Sequence, residues 1–127
     1  MIDFALTVRF PVPPDRIYSA WLDAAGHSAM TGAEATVDGD AFTAWGGYIE
    51  GEYTCREPGR RIEMVWRTAD FGELENSATV VVELAAEGAG TLLTLTQTNT
   101  PASQGDRYVS GWREFYFKPM AAYFGGG

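Results

Sequence analysis

Cysteine and histidine are nearly missing from this 127-residue chain: Cys55 and His27 are the sole examples of each. One cysteine excludes an internal disulfide framework and a cysteine-based zinc cage. One histidine, in a Gly/Ala/Ser-rich connection, has no second imidazole to complete a metal site or a credible Ser-His-Asp order, and reads as a surface or capping residue. Basic residues are few: nine Lys and Arg against seventeen Asp and Glu give a net charge of −8. That excludes nucleic acid or an anionic membrane as main partner, because both need a basic face. No apolar run approaches the ~20 residues that span a bilayer. The opening Met1-Ile2-Asp3-Phe4 lacks the basic and apolar regions of a signal peptide. Gly46-Gly47 lacks the Lys-Ser/Thr that follows a phosphate-cradling loop. The expectation is one cytoplasmic domain over residues 1–127, with no cofactor, no metal and no enzymatic activity.

Aromatic residues are abundant: seven Phe, six Tyr and four Trp make up 13% of the chain. Such a content serves either a bulky core or the lining of a hollow. Ile2, Phe4, Leu6, Val8 and Phe10 alternate with polar residues and predict a half-buried strand. Pro11, Pro13 and Pro14 end it, and Pro14 suits the first turn of a helix carrying Ile17, Ala20, Trp21 and Ala24. Gly26 is the expected stop, followed by a short helical turn over His27–Met30. From Ala33 to Asn99 the pattern is β. Asp38-Gly39-Asp40 marks one turn and Glu57-Pro58-Gly59-Arg60 another, of type II, joining Tyr48–Arg56 to Arg61–Thr68.

That turn sets Glu50 opposite Arg67, Tyr53 opposite Met64, and Gly51 opposite Trp66, where it leaves room for the indole. Ile49, Tyr53 and Cys55 then share the core face with Ile62, Met64 and Trp66, and Cys55 reads as an inert core thiol. Glu50 and Glu52, about 6.5 Å apart, share a face with Arg56, Arg61 and Arg67 and read as a solvated, salt-bridged surface, not a glycosidase pair. Asp38 and Asp40 are turn residues. A further hairpin joins Ser77–Ala86 to Thr91–Thr98, where Gln97 and Asn99 share the parity of Leu93 and Leu95. Beyond Pro101, Ser103-Gln104-Gly105-Asp106 resembles a capping signature. Tyr108, Trp112, Phe115, Tyr116, Pro119, Met120 and Tyr123 follow as one broad apolar helical face, with Pro119 bending the last turn. The order is strand, helix pair, about six antiparallel strands and a long C-terminal helix.

This order, with the stretches Arg61-Ile62-Glu63-Met64-Val65-Trp66-Arg67, Ile49-Glu50-Gly51-Glu52-Tyr53 and Gly111-Trp112-Arg113-Glu114-Phe115-Tyr116-Phe117, resembles the START-like (SRPBCC) superfamily. More narrowly it is similar to the family of the activator of heat-shock-protein-90 ATPase, in its C-terminal domain. The entry Phe10–Trp21 also looks like the superfamily's start. The resemblance implies an α+β helix-grip fold of the birch-pollen-allergen type. Its curved antiparallel sheet of about six to seven strands wraps a long C-terminal helix. Relatives include co-chaperones, lipid or polyketide binders and a few enzymes, so fold alone does not set function. The implied function is a non-enzymatic binder of a small hydrophobic or aromatic ligand; the alternative is a chaperone-accessory, stress-response protein. The implied cavity residues are Trp45, Tyr53, Met64, Trp66, Phe71, Gln97, Trp112, Tyr116 and Met120, with Trp66 and Trp112 buried side by side. The same residues equally suit a packed core.

Overall fold

The computed structural model describes residues 2–125. The alternating segment Ile2–Phe10 forms strand β1, which buries Leu6 and Phe10. Helix α1, Pro14–Leu22, starts on its proline and buries Ile17 and Trp21. Gly26 does not end it. Asp23 breaks the chain direction, and its carboxylate accepts the Gly26 N–H at 2.8 Å. That cap starts helix α2, Ala24–Thr31, which therefore extends well beyond the expected single turn. The reason for glycine at 26 is steric: a Cβ there would lie 2.8 Å from the Cα of Ala20, so the glycine lets α1 and α2 touch.

The remaining strands are β2 (Thr36–Asp38), β3 (Ala41–Ala44), β4 (Ile49–Glu57), β5 (Arg61–Thr68), β6 (Ala78–Glu87) and β7 (Gly90–Thr100). They form one seven-stranded sheet in the order β1-β7-β6-β5-β4-β3-β2, antiparallel throughout. Gly59 takes φ +70° and the Arg60 N–H donates to Glu57 O at 2.9 Å, as a type II turn requires. The register is the expected one: Glu50 opposite Arg67, Gly51 opposite Trp66, Tyr53 opposite Met64.

Four details differ from the sequence reading. A bulge between Tyr53 and Cys55 moves Cys55 off the core face to a half-buried position, its Sγ 4.0 Å from Glu57 Oε2. A Cβ at Gly51 would strike the Val65 carbonyl and the Phe42 ring, so its space belongs to those groups and not to the indole. Gln97 is fully buried, whereas Asn99 is exposed at φ +61° and donates its N–H to Asp3 Oδ1. The arginines of the outer face pair elsewhere than expected: Arg56 with Asp40, Arg61 with Glu57, Glu63 and Glu83, and Arg67 with the carbonyls of Gly72 and Glu75.

The C-terminal helix has three parts: α3 (Gly105–Trp112), a π turn (Arg113–Phe117) and α4 (Lys118–Gly125). No side chain caps α3. Gln104 instead donates its amide N–H to Asp70 O and accepts from the Tyr108 hydroxyl. Tyr108, Trp112, Tyr116, Met120 and Phe124 are all buried at steps of four. In a regular helix each such step overshoots a full turn by about 40°. The π turn, closed by the Lys118 N–H on Arg113 O, takes an extra residue and brings the stripe back in line. Phe115 and Tyr123 fall off that stripe and are exposed, while Phe117 is buried in their stead. No helix among the described residues is long and apolar enough to cross a membrane.

Candidate functional site

A cavity of about 360 Å³ opens between the ends of β4 and β5 and the start of the C-terminal helix. Its wall is aromatic: Trp45, Tyr48, Trp66, Tyr108, Trp112, Phe115 and Tyr116. Each is placed for a local reason. Trp66 sits on the inward face of β5 (3% exposed), and its ring lies 5.5 Å from that of Trp112, likewise 3% exposed. Trp112 is fixed from behind: its indole N–H donates to Gln97 Oε1 at 2.8 Å, and Gln97 donates in turn to Thr100 Oγ1 at 2.9 Å. Trp45 has φ +53° in a tight turn ahead of β4, a conformation that costs a non-glycine residue of order 1–3 kcal/mol. Its indole is held against the π turn, ring to ring with Phe115 at 5.2 Å and by a hydrogen bond to Phe115 O at 3.2 Å. Gly111 contributes absence: a Cβ there would meet nothing within 4 Å, so the helix backbone itself forms wall.

The structure thus brings Trp45, Trp66, Trp112 and Tyr116 together on the wall. It places Tyr53, Met64, Phe71, Gln97 and Met120 in the packed interior instead. Tyr53 stacks on Phe42 with centroids 4.6 Å apart and gives its hydroxyl proton to Trp21 O. Phe71 packs edge-on to Trp66 and close to Tyr108. Met64 and Met120 fill the core. Of the other wall residues, Tyr108 and Phe115 belong to the aromatic helical face read from the spacing, Ile49 to the inward face of its strand and Gly111 to the Gly-Trp stretch that carries the resemblance. Tyr48, Thr68 and Arg107 were missed, with no signal in the spacing.

His27 is a correction. It is 2% exposed, not a surface residue. Nδ1 lies 2.8 Å from Trp21 O, which can only accept, so Nδ1 carries the proton. Nε2 then accepts from the Tyr116 hydroxyl at 2.7 Å. Burial lowers the imidazole's pKa, opposed in part by the Trp21 carbonyl. Burial likewise pushes the Tyr116 phenol well above its ordinary range, with Tyr53 adding to it. Trp21 itself lies flat against Trp112, 6.3 Å between centroids, and its Nε1 has no hydrogen-bond partner among the described residues.

The rim is polar. Asp70 Oδ2 accepts from the Tyr48 hydroxyl at 2.5 Å and from Arg107 Nη1 at 2.8 Å. Tyr108, its pKa pushed up to about 12 mainly by burial, gives its proton to Gln104 Oε1 and lies 2.6 Å from Thr68 Oγ1. Among the described residues no group of three His, Cys, Asp or Glu side chains is placed to hold a metal ion. The arrangement can enclose a flat apolar body and offer hydrogen bonds at one end.

A curved antiparallel sheet closed over a C-terminal helix, with an aromatic hollow between them, defines a helix-grip α+β protein. Residues 11–125 match the family described as Activator of Hsp90 ATPase homolog 1-like protein, and the chain belongs to it. It is 28% identical to the human Activator of 90 kDa heat shock protein ATPase homolog 1 over 96% of this chain. The chain spans 37% of that protein's length. An HSP90 activator from Plasmodium falciparum superimposes with a TM-score of 0.83 at 28% identity, covering 93% of this chain and 92% of that one. CalU16 from Micromonospora echinospora superimposes with a TM-score of 0.80 at 23% identity over 97% of this chain and 76% of its own, a likeness of fold.

Proposed function

We propose that this protein is a non-enzymatic binder of a small planar, apolar ligand held between the sheet and the C-terminal helix. The observation that carries this reading is the cavity of about 360 Å³ walled by seven aromatic side chains. That volume falls in the range of small-molecule sites, which are mostly apolar with a few placed polar groups. Aromatic walls favour flat ligands through offset and edge-on ring contacts. A binding role, as opposed to catalysis, is supported by the sole imidazole, both of whose nitrogens are already bonded within the fold. The net charge of −8 favours neither nucleic acid nor an anionic membrane as partner and suits a soluble, cytoplasmic protein. A screen of planar aromatic compounds by amide-shift mapping tests the reading. Micromolar binders, about −8 kcal/mol, are expected, with shifts clustered at Trp45, Trp66 and residues 107 to 116. No binder, or shifts confined to the outer face, overturns it.

A second reading, a chaperone-accessory role in the stress response, is supported by the family and by 28% identity to relatives named as HSP90 ATPase activators. Its test is the ATPase rate of purified HSP90 with and without the chain. Acceleration that disappears on heat-inactivating the chain supports it, and an unchanged rate removes it.

A further inference from the structure

We propose that the ligand is an aromatic acid of about two fused rings whose carboxylate is met by Arg107; this rests on the reading of the cavity as a ligand site. Arg107 is the one charged side chain on the cavity wall among the described residues. Its guanidinium makes a single hydrogen bond there, Nη1 to Asp70 Oδ2 at 2.8 Å. A guanidinium has five N–H donors, so donors remain beyond the one given to Asp70.

The other hydroxyls nearby have their protons placed. Tyr48 gives its proton to Asp70, and Tyr108 gives its proton to Gln104, which leaves the Thr68 proton for Tyr108. Arg107 is therefore the charged donor with hydrogens to spare for a guest, and the Trp66 indole N–H on the same wall is a neutral one. Asp70 shows which guest group fits, because the protein's own carboxylate already lies between Arg107 and Tyr48. Arg107 and Asp70 are both well exposed, 58% and 44%, so a guest carboxylate can join or replace Asp70 without desolvating either. A guest cation would face the guanidinium.

Ring count follows from volume. A cavity of about 150 Å³ takes one benzene ring, so about 360 Å³ takes roughly two with a substituent. The rings lie among Trp45, Trp66 and Trp112 while the acid stays at the wet rim.

The probes are 2-naphthoate and 2-naphthamide, equal in shape and different in charge, titrated by calorimetry. In the native protein the acid is expected to bind roughly two- to fivefold tighter, the scale of one solvent-exposed ion pair. Arg107→Met should weaken the acid more than the amide and close the gap between them. Asp70→Asn, which removes the competing carboxylate, should tighten the acid alone. High salt should shrink the acid's advantage, a measurement on the native protein that stands even where a variant folds poorly. Equal binding of acid and amide, or a preference that survives in Arg107→Met, overturns this inference and leaves the cavity reading intact. Binding of neither probe overturns both.

Discussion

Trp45 and Phe115 are tied twice across the cavity mouth. Their rings meet edge to face with centroids 5.2 Å apart, and the Phe115 carbonyl, inside the π turn, accepts the Trp45 indole N–H at 3.2 Å. A sheet-side turn thereby braces the irregular part of the C-terminal helix. The contact also fixes one wall of the cavity, since Trp45 and Phe115 both line it. Trp45→Phe keeps a ring against Phe115 and removes the donor. The expected loss is about 0.5–1.5 kcal/mol, read from the urea midpoint. An unchanged midpoint would show that water replaces the indole at no cost.

Gly111 offers the cleanest way to fill the hollow. Nothing lies within 4 Å of an added Cβ. Gly111→Ala should stabilise the protein by about 0.5–1 kcal/mol, through helix propensity. Gly111→Leu should fold as well as the native chain and lose affinity for any planar ligand. Melting curves and ligand titrations of the two variants check this pair. Retained affinity in the leucine variant would place the ligand elsewhere.

Gln97 matters as the back support of Trp112. Gln97→Met matches its shape and removes both hydrogen bonds, leaving the indole N–H and the Thr100 hydroxyl buried without that partner. The expected cost is about 1–3 kcal/mol, measured by chemical denaturation. Trp112→Ala, which empties the centre of the aromatic cluster, should cost more, about 3–5 kcal/mol.

His27 makes stability depend on pH in a definite direction. Its folded pKa is lowered from 6.5, chiefly by burial. Above 6.5 both folded and unfolded imidazoles are neutral and the residue contributes no slope. As pH falls below 6.5 the unfolded chain takes up the proton first, so stability drops until the folded pKa is passed. The slope contributed is at most about 1.4 kcal/mol per pH unit. Denaturation midpoints of native protein and His27→Gln between pH 5 and 7 isolate it. The native slope should exceed that of the variant, and equal slopes would place a charged His27 inside the fold.

Much of the fold was legible because β periodicity and turn chemistry are local. The Pro58-Gly59 turn is enough to place Glu50 against Arg67 and Gly51 against Trp66. The bulge at Tyr53 was not legible, since nothing in Tyr53-Thr54-Cys55 differs from regular alternation. His27 was misread for a related reason: its partners Trp21 and Tyr116 come from other elements, and the link to Tyr116 spans 89 residues. The cavity was half legible. Its aromatic wall follows from helical and strand spacing, whereas its rim depends on Arg107 and on the loop carrying Asp70, which only the folded chain brings together. Tyr53, Met64 and Met120 were on the correct inward faces, yet periodicity reports direction and not depth.

The file of indoles from Trp21 through Trp112 to Trp66, with tilts of 23° and 31° between neighbours, gives the protein an optical property of its own. Packing fixes three of the four tryptophans in one asymmetric setting, and such fixed aromatic packing is what near-ultraviolet dichroism reads. Trp112 and Trp66 both border the cavity. A molecule settling there touches two of these three chromophores, and the near-ultraviolet dichroism of the unlabelled protein becomes a gauge of whether the hollow is filled.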